Sequence, residues 1–134
     1  MCGIAGYYGP TEIPAERIRA TLALMHRRGP DAAGHWHHAT AAGRHVHLLS
    51  SRLAIIDLDP RANQPFSFGG GTMSYNGELY NYLELRAAME RDGTKLRTSS
   101  DTEVVAEVLA QAGPQGLARC EGMWGLAWFD PATD

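Results

Sequence analysis

Two hydrophobic periods alternate along the chain. Residues 3–8 (GIAGYY) are small and apolar, and predict a buried strand. Within 15–27, Ile18, Leu22 and Met25 recur at helical spacing; Pro14 suits the first turn and Gly29 the exit, so a helix is predicted there. Strands are predicted at 33–38 and 45–50 around a turn at Ala42-Gly43, at 52–57 (RLAIID), broken by Asp59-Pro60, and at 72–76, ended by Asn76-Gly77. Two helices follow. Asn81 stands three residues before Glu84 and Ser100 three before Glu103, each in capping-box spacing. Tyr82, Leu85 and Met89 share one face of the first helix, closed by Gly93. Val104, Val105, Val108, Leu109 and Ala112 form the stripe of the second, ended by Gly113-Pro114. Residues 123–129 (MWGLAWF) predict a last buried strand. Strand, helix, several strands, two helices and a strand make an α+β chain rather than a strict βαβ alternation.

Composition narrows the function classes. A length of 134 residues with 44% hydrophobic and 20% charged side chains describes one globular domain and not a disordered chain. Twelve Lys and Arg against fifteen Asp and Glu argue against nucleic acid as a partner. No apolar run approaches the roughly 20 residues of a membrane span, and MCGIAGYYGP lacks the basic flank and apolar core of a secretory leader. Two cysteines are too few for a disulfide framework, so a reducing, cytoplasmic location is expected. Fifteen glycines stand mostly singly at turn-like places and favour a fold with sharp corners. A large apolar strand close to the C-terminus lacks a following neighbour, so the chain is expected to be part of something longer.

Cys2 is the first candidate for chemistry. Removal of Met1 exposes a residue that carries both a thiol and an α-amine. An α-amine, with a reference pKa of about 7.7–8.0, is a general base suited to neutral pH and needs no separate histidine. N-terminal nucleophiles activated by their own amine are an established class of covalent catalyst. A small residue in a buried strand is the plain alternative.

The context favours chemistry. CGIAG at 2–6, RRGPD at 27–31, RLAIIDL at 52–58, QP at 64–65, NGELYN at 76–81, SDTE at 100–103 and GMWGLAWFD at 122–130 occur in one order. Together they resemble the N-terminal glutaminase domain of class II glutamine amidotransferases, nearest to the glutamine-hydrolysing asparagine synthetase type. The resemblance implies an N-terminal-nucleophile (Ntn) hydrolase fold, a four-layer αββα sandwich of two antiparallel sheets. It takes 1–134 as one glutaminase domain, incomplete at its C-terminus, with the synthetase domain outside this chain. The implied reaction is hydrolysis of L-glutamine to glutamate and ammonia through a thioester on Cys2.

Roles follow from that chemistry. The tetrahedral oxyanion needs preorganised donors, and the Asn76 side-chain amide with the Gly77 N–H resembles the family's oxyanion hole. An Asn-Gly hairpin turn is the structural alternative. Arg52 can grip the substrate carboxylate bidentately, and Asp101 and Glu78 can pair with its ammonium. Asp101 also suits a helix start by charge alone. Leu53, Ala54, Ile55 and Ile56 are expected to line the pocket through backbone groups. Arg28 and Asp31 flank a Gly-Pro turn expected near that pocket. Ser50 and Ser51 precede Arg52 where many relatives carry histidine or another polar group, and Arg27-Arg28 stands where asparagine synthetases commonly have His-Arg.

No metal ligand set is assigned. His35 and His37 would share one strand face and His45 and His47 another, but histidines on a polar hairpin are the expected reading. Cys120 is read as a structural thiol. No SGG-type pyrophosphate loop is present, so this chain is expected to carry no cofactor, with ATP and Mg confined to the synthetase domain. The implied partners are L-glutamine, that synthetase domain and, as one option, a second copy in a homodimer. Related enzymes amidate sugars, peptides and secondary-metabolite precursors, which keeps the ammonia acceptor open. A non-catalytic glutamine-sensing module is the remaining alternative.

Overall fold

The computed structural model describes residues 2–133. The elements are β1 (Gly3–Gly9), α1 (Ala15–Met25), β2 (Ala32–Ala39), β3 (His45–Arg52), β4 (Phe66–Phe68), β5 (Gly71–Leu79), α2 (Tyr82–Arg91), α3 (Asp101–Ala112) and β6 (Gly122–Phe129). Two three-stranded antiparallel sheets form, in the orders β1-β3-β2 and β4-β5-β6.

Strand periodicity explains the layering. Every residue of β3 after His45 is buried, because both of its faces are covered. One face meets the second sheet, where Ser50 Oγ donates to Ser74 Oγ at 2.9 Å. The other meets α1, where Ser51 Oγ donates to the Met25 carbonyl at 3.0 Å. These two serines therefore fasten layers together. Trp36 and His38 of β2 also reach the second sheet, with their rings 5.9 and 5.5 Å from that of Phe129.

The second sheet packs its far face on α3. Met73, Tyr75 and Leu79 interlock there with Val104, Val105, Val108 and Leu109, all at most 5% exposed. Each fully buried aliphatic side chain of this kind contributes about 1.5–3 kcal/mol. Met89 joins the cluster from α2, with Leu85 and Tyr82 packed around it. With α1 outside the first sheet and α3 outside the second, the chain is an α+β sandwich.

Four details differ from the sequence reading. The segment 53–57 is loop, not strand: β3 ends at Arg52, and the apolar run continues as the pocket wall described below. β5 does not stop at Asn76-Gly77 but runs to Leu79, paired with β6 throughout, so the hairpin-turn alternative is excluded. Asn81 makes no helix cap; its side chain accepts from Glu121 N and donates to the Arg119 carbonyl, tying α2 to the start of β6. β4 is additional, because a three-residue strand carries too little pattern to be seen.

The second capping box is half realised. Ser100 Oγ accepts from Thr102 N at 3.2 Å. Glu103, with no exposed surface, reaches past Ser100 and accepts from Arg97 N, Thr98 N and Thr98 Oγ1 at 2.6–3.0 Å. Burial alone would raise its pKa, but the hydrogen bonds outweigh burial and leave it below the ordinary glutamate range. Glu103→Ala leaves three donors unpaired, the two of Thr98 buried, and is expected to destabilise the fold by about 3 kcal/mol or more, measured by chemical denaturation. A depressed carboxylate pKa stabilises above its unfolded value and ceases to do so as pH falls through the folded one, so the difference between wild type and variant should shrink in acid.

Candidate active site

The site is assembled where the ends of the two sheets meet the start of α3. Gly3 pairs with Ser51, which sets Cys2 beside the exit of β3. The Leu53 N–H points at Cys2 Sγ at 3.4 Å, and Sγ lies 3.8 Å from the Leu53 carbonyl oxygen. The 27–31 segment secures both partners. Arg28 Nε donates to the Cys2 carbonyl at 3.1 Å, Asp31 N donates to the Arg52 carbonyl at 3.0 Å, and Asp31 Oδ2 accepts from Ala54 N at 2.8 Å. Gly29 permits this approach, because a Cβ there would stand 2.3 Å from the Ser51 carbonyl oxygen.

Arg52 closes β3 and is 6% exposed. Its guanidinium is built into the loop that follows. Nη1 donates to Asn63 Oδ1 at 2.9 Å and to the Asp59 carbonyl at 3.3 Å; Nη2 donates to the carbonyls of Ile56 and Asp57. Nε–H has no protein acceptor, and no carboxylate lies within ion-pair distance among the described residues. A buried cation without a counter-ion calls for an anion from outside the chain. Asp57 anchors the same loop from a left-handed backbone (φ 56°), with Oδ2 accepting from Ser99 N at 2.7 Å and Oδ1 from Asp59 N at 3.0 Å. The Ser99 bond, joined by other donors and Arg61, lowers its pKa.

β5 brings the second set. Ser74 faces the first sheet, and Asn76, two residues on, presents to the same side. The buried amide oxygen of Asn76 has no hydrogen-bond partner among the described residues, a state that calls for a ligand or solvent. Gly77 pairs with Trp124, and a Cβ there would come 2.5 Å from Trp124 Cβ and 2.6 Å from the Met123 carbonyl oxygen. Close strand approach, not a turn, is what needs glycine at this position.

Asp101 is the first residue of α3 and is 6% exposed. Its Oδ2 accepts from Leu79 N at 3.1 Å and from the Tyr75 hydroxyl at 3.2 Å. Burial nevertheless wins and raises its pKa above the ordinary aspartate value. The Tyr75 hydroxyl is pushed up as well, chiefly by burial and then by Asp101.

Cys2, Arg52, Gly77 and Asp101 help enclose a cavity of about 130 Å³, lined also by Leu53, Ile55, Ile56, Gln64, Tyr75, Glu78, Ser100, Thr102 and Met123. A thiol, a buried cation without a counter-ion and a buried carboxylate face a volume suited to a small molecule carrying both charges. The glutamine amidotransferase domain family matches residues 1–134. The chain belongs to that family.

Named relatives agree. Asparagine synthetase [glutamine-hydrolyzing] 1 of Bacillus subtilis is 33% identical over 136 residues, covering 96% of this chain and 21% of the relative. Asparagine synthetase B [glutamine-hydrolyzing] of Escherichia coli is 32% identical over 139 residues, covering all of this chain and 24% of the relative. Amidase chry2 of Gibberella zeae is 33% identical over 144 residues, covering 97% and 21%. The chain thus spans between about a fifth and somewhat more than a quarter of the relatives it matches.

Within this amidotransferase domain, eight of the expected site residues line the cavity, whereas Ala54 and Asn76 do not. Ala54 instead uses its N–H to hold Asp31. Arg52 departs from the bidentate clamp expected of it, because Nη1 and Nη2 are given to the loop. Five lining residues escaped the sequence reading: Gln64, Tyr75, Ser100, Thr102 and Met123. Gln64 was visible only as half of the QP pair. It is 7% exposed, with Oε1 accepting from Tyr75 N at 2.6 Å and Nε2 donating to Thr102 Oγ1 at 3.4 Å, which locks β5 to α3 behind the cavity. Both cysteines are free, and no helix among the described residues is long and apolar enough to cross a membrane.

Proposed function

We propose that this domain hydrolyses L-glutamine to glutamate and ammonia, with Cys2 as nucleophile. The observation that carries the reading is the meeting of Cys2, Arg52 and Asp101 on one small cavity. After removal of Met1, the α-amine of Cys2 takes the thiol proton, and sulfur attacks the side-chain amide carbon of glutamine. The oxyanion that forms accepts hydrogen bonds from the Asn76 side-chain N–H and the Gly77 N–H. The ammonium of Cys2 returns its proton to the leaving nitrogen, ammonia departs and a thioester remains. Water, deprotonated by the same amine, attacks the thioester; glutamate leaves and the thiol is restored.

Arg52 attracts the substrate carboxylate with its uncompensated charge and Nε–H. Asp101 and the more exposed Glu78 receive the ammonium, and Leu53 to Ile56 shape the wall, chiefly through backbone groups. Leu53 N–H, 3.4 Å from Sγ, holds the sulfur in place at the cavity wall. We assign the ammonia to an ATP- and Mg-dependent synthetase domain of the asparagine synthetase type, working in the cytoplasm, on the strength of the 33% identity to a glutamine-hydrolysing asparagine synthetase. Transfer to a different acceptor is the second reading, supported by equal identity to an amidase. Ammonia release from L-glutamine by the purified chain tests the core reaction, and acceptor screening on the full-length protein separates the two readings.

The burial-raised pKa of Asp101 gives this reading a pH signature. Only the carboxylate attracts the ammonium, so glutamine affinity should fall on acidification at a higher pH than an ordinary aspartate would impose. Asp101→Asn should bind glutamine about ten- to a hundredfold more weakly at neutral pH and lose that pH dependence. Calorimetric titration across pH checks both. An affinity that stays level down to the ordinary carboxylate range counts against the ammonium role.

A further inference from the structure

A second group of chemistry-bearing side chains lies at the far end of β3. His47 and Arg52 are five residues apart, roughly 16 Å along the strand, so this group is separate from the glutamine cavity. The register sets His37 of β2 directly opposite His47 of β3. His35 shares the face of His37, and His45 that of His47, because each pair is spaced by two residues along a strand. Four imidazoles therefore meet on the side of the first sheet that α1 covers. Their rings stack: His37 on His47 at 4.3 Å, His35 on His47 at 5.2 Å and His37 on His45 at 5.3 Å.

The expected reading of these residues as hairpin surface holds for His35 and His37 of β2 but not for His47. His47 is 2% exposed and His45 is half-buried, whereas His35 and His37 are exposed. Ring nitrogens already touch. His37 Nε2 lies 3.0 Å from His45 Nδ1, and His35 Nε2 lies 2.9 Å from His47 Nδ1. One nitrogen each of His37, His45 and His47 falls within 4.8 Å of the other two. A tetrahedral ion with bonds of about 2.0–2.1 Å separates its ligands by roughly 3.3 Å, so small ring rotations complete the set.

We propose that His37, His45 and His47 bind one divalent transition-metal ion of the zinc type, with His35 orienting His47. Imidazole is a ligand for such ions in its neutral form. Binding needs no net proton release from neutral rings: the N–H shared between His37 and His45 shifts to an outer ring nitrogen, and His47, whose Nε2 accepts from Ile13 N at 3.4 Å and whose Nδ1 meets His35, exchanges one of these contacts for the metal. The exposed side of His37 supplies the entry path and an open fourth position for water. An ion held there would cross-link β2 to β3 beside their connecting turn. The proposal is independent of the glutaminase reading.

Calorimetric titration of the metal-free chain with zinc chloride at pH 7.5 tests it. One ion per chain should bind in the micromolar range or tighter. His37→Ala and His45→Ala should each weaken binding at least tenfold, whereas His26→Ala, altering an exposed histidine outside the cluster, should not change it. Ammonia release from glutamine should be unaffected in all three variants. Circular dichroism on the same samples establishes folding, and His37 is exposed, so its substitution removes no core contact. Absence of zinc binding by the wild type, or equal binding by His37→Ala, overturns the proposal and leaves a hydrogen-bonded imidazole ladder. A His26→Ala variant that loses as much affinity as His37→Ala overturns it equally.

Discussion

Cys2→Ala should abolish ammonia release from glutamine, by on the order of a thousandfold or more, while leaving the domain folded. Cys2 is half-buried, and among the described residues the polar contacts of its thiol are to the backbone of Leu53, so alanine removes little packing. A companion change separates thiol from amine. An extra residue retained ahead of Cys2 keeps the sulfur but converts the α-amine to an amide, which cannot accept the thiol proton. That extended protein should be as inactive as Cys2→Ala, and clean removal of the extension should restore the rate. Full activity with the extension in place would move the base elsewhere in the cavity. The candidates would then be Glu78, exposed at the mouth, and the buried Asp101.

Asn76→Ala should lower turnover by about a hundredfold or more with little change in glutamine affinity. Its side-chain N–H acts on charge that develops only as the tetrahedral intermediate forms, and loss of one such donor is worth about 2.7–4 kcal/mol in other hydrolases. The strand continues unbroken through Asn76, so alanine disrupts no turn. Its amide oxygen has no partner to orphan among the described residues, so the substitution leaves no new unpaired protein acceptor or donor at that atom. Steady-state kinetics paired with calorimetric glutamine binding decides between roles. A variant that binds weakly but turns over normally would make Asn76 a substrate-holding residue. Arg52 calls for a different design. Arg52→Ala would release four hydrogen bonds that shape the 56–63 loop as well as the charge, so its effect on glutamine binding cannot be read as a carboxylate contact alone.

The periodic parts of the fold were legible in the sequence because helical and strand spacing survive without tertiary context. Of the predicted stripe, Val104, Val105, Val108 and Leu109 are buried and Ala112, at the exposed end of α3, is not, and the ends of β1, β2, β3 and β6 fall within two residues of the expectation. Local rules failed where long-range contacts decide. RLAIID has the composition of a strand, yet Arg52 bonds the carbonyls that follow it and folds the chain into a loop. Asn76-Gly77 has the composition of a turn, yet β6 pairs across it and Trp124 occupies the space a side chain would need. Asn81 has a cap's identity, but Arg119 and Glu121 compete for its amide, from a segment 38–40 residues away.

The site shows the same division. Cys2, Arg52 and Asp101 announce themselves by charge and chemistry, and they share the cavity. Gln64, Tyr75 and Thr102 act through packing and hydrogen bonds that only the register of β5 against α3 creates. The histidines were visible as pairs on two strands, but only the facing of His37 and His47 turns them into a cluster.

The central claim is that Cys2 is the group that attacks the glutamine amide carbon. It is tested most directly by incubating the protein with a glutamine analogue that carries an electrophilic carbon at the amide position, then mapping the adduct by peptide mass spectrometry. One adduct per chain is expected, on Cys2 at the new N-terminus left by removal of Met1, formed in parallel with loss of ammonia release and slowed by excess L-glutamine. Half-buried Cys120, whose thiol burial holds in its protonated form, should remain unlabelled. An adduct on Cys120, or ammonia release that persists with Cys2 fully modified, would contradict the claim.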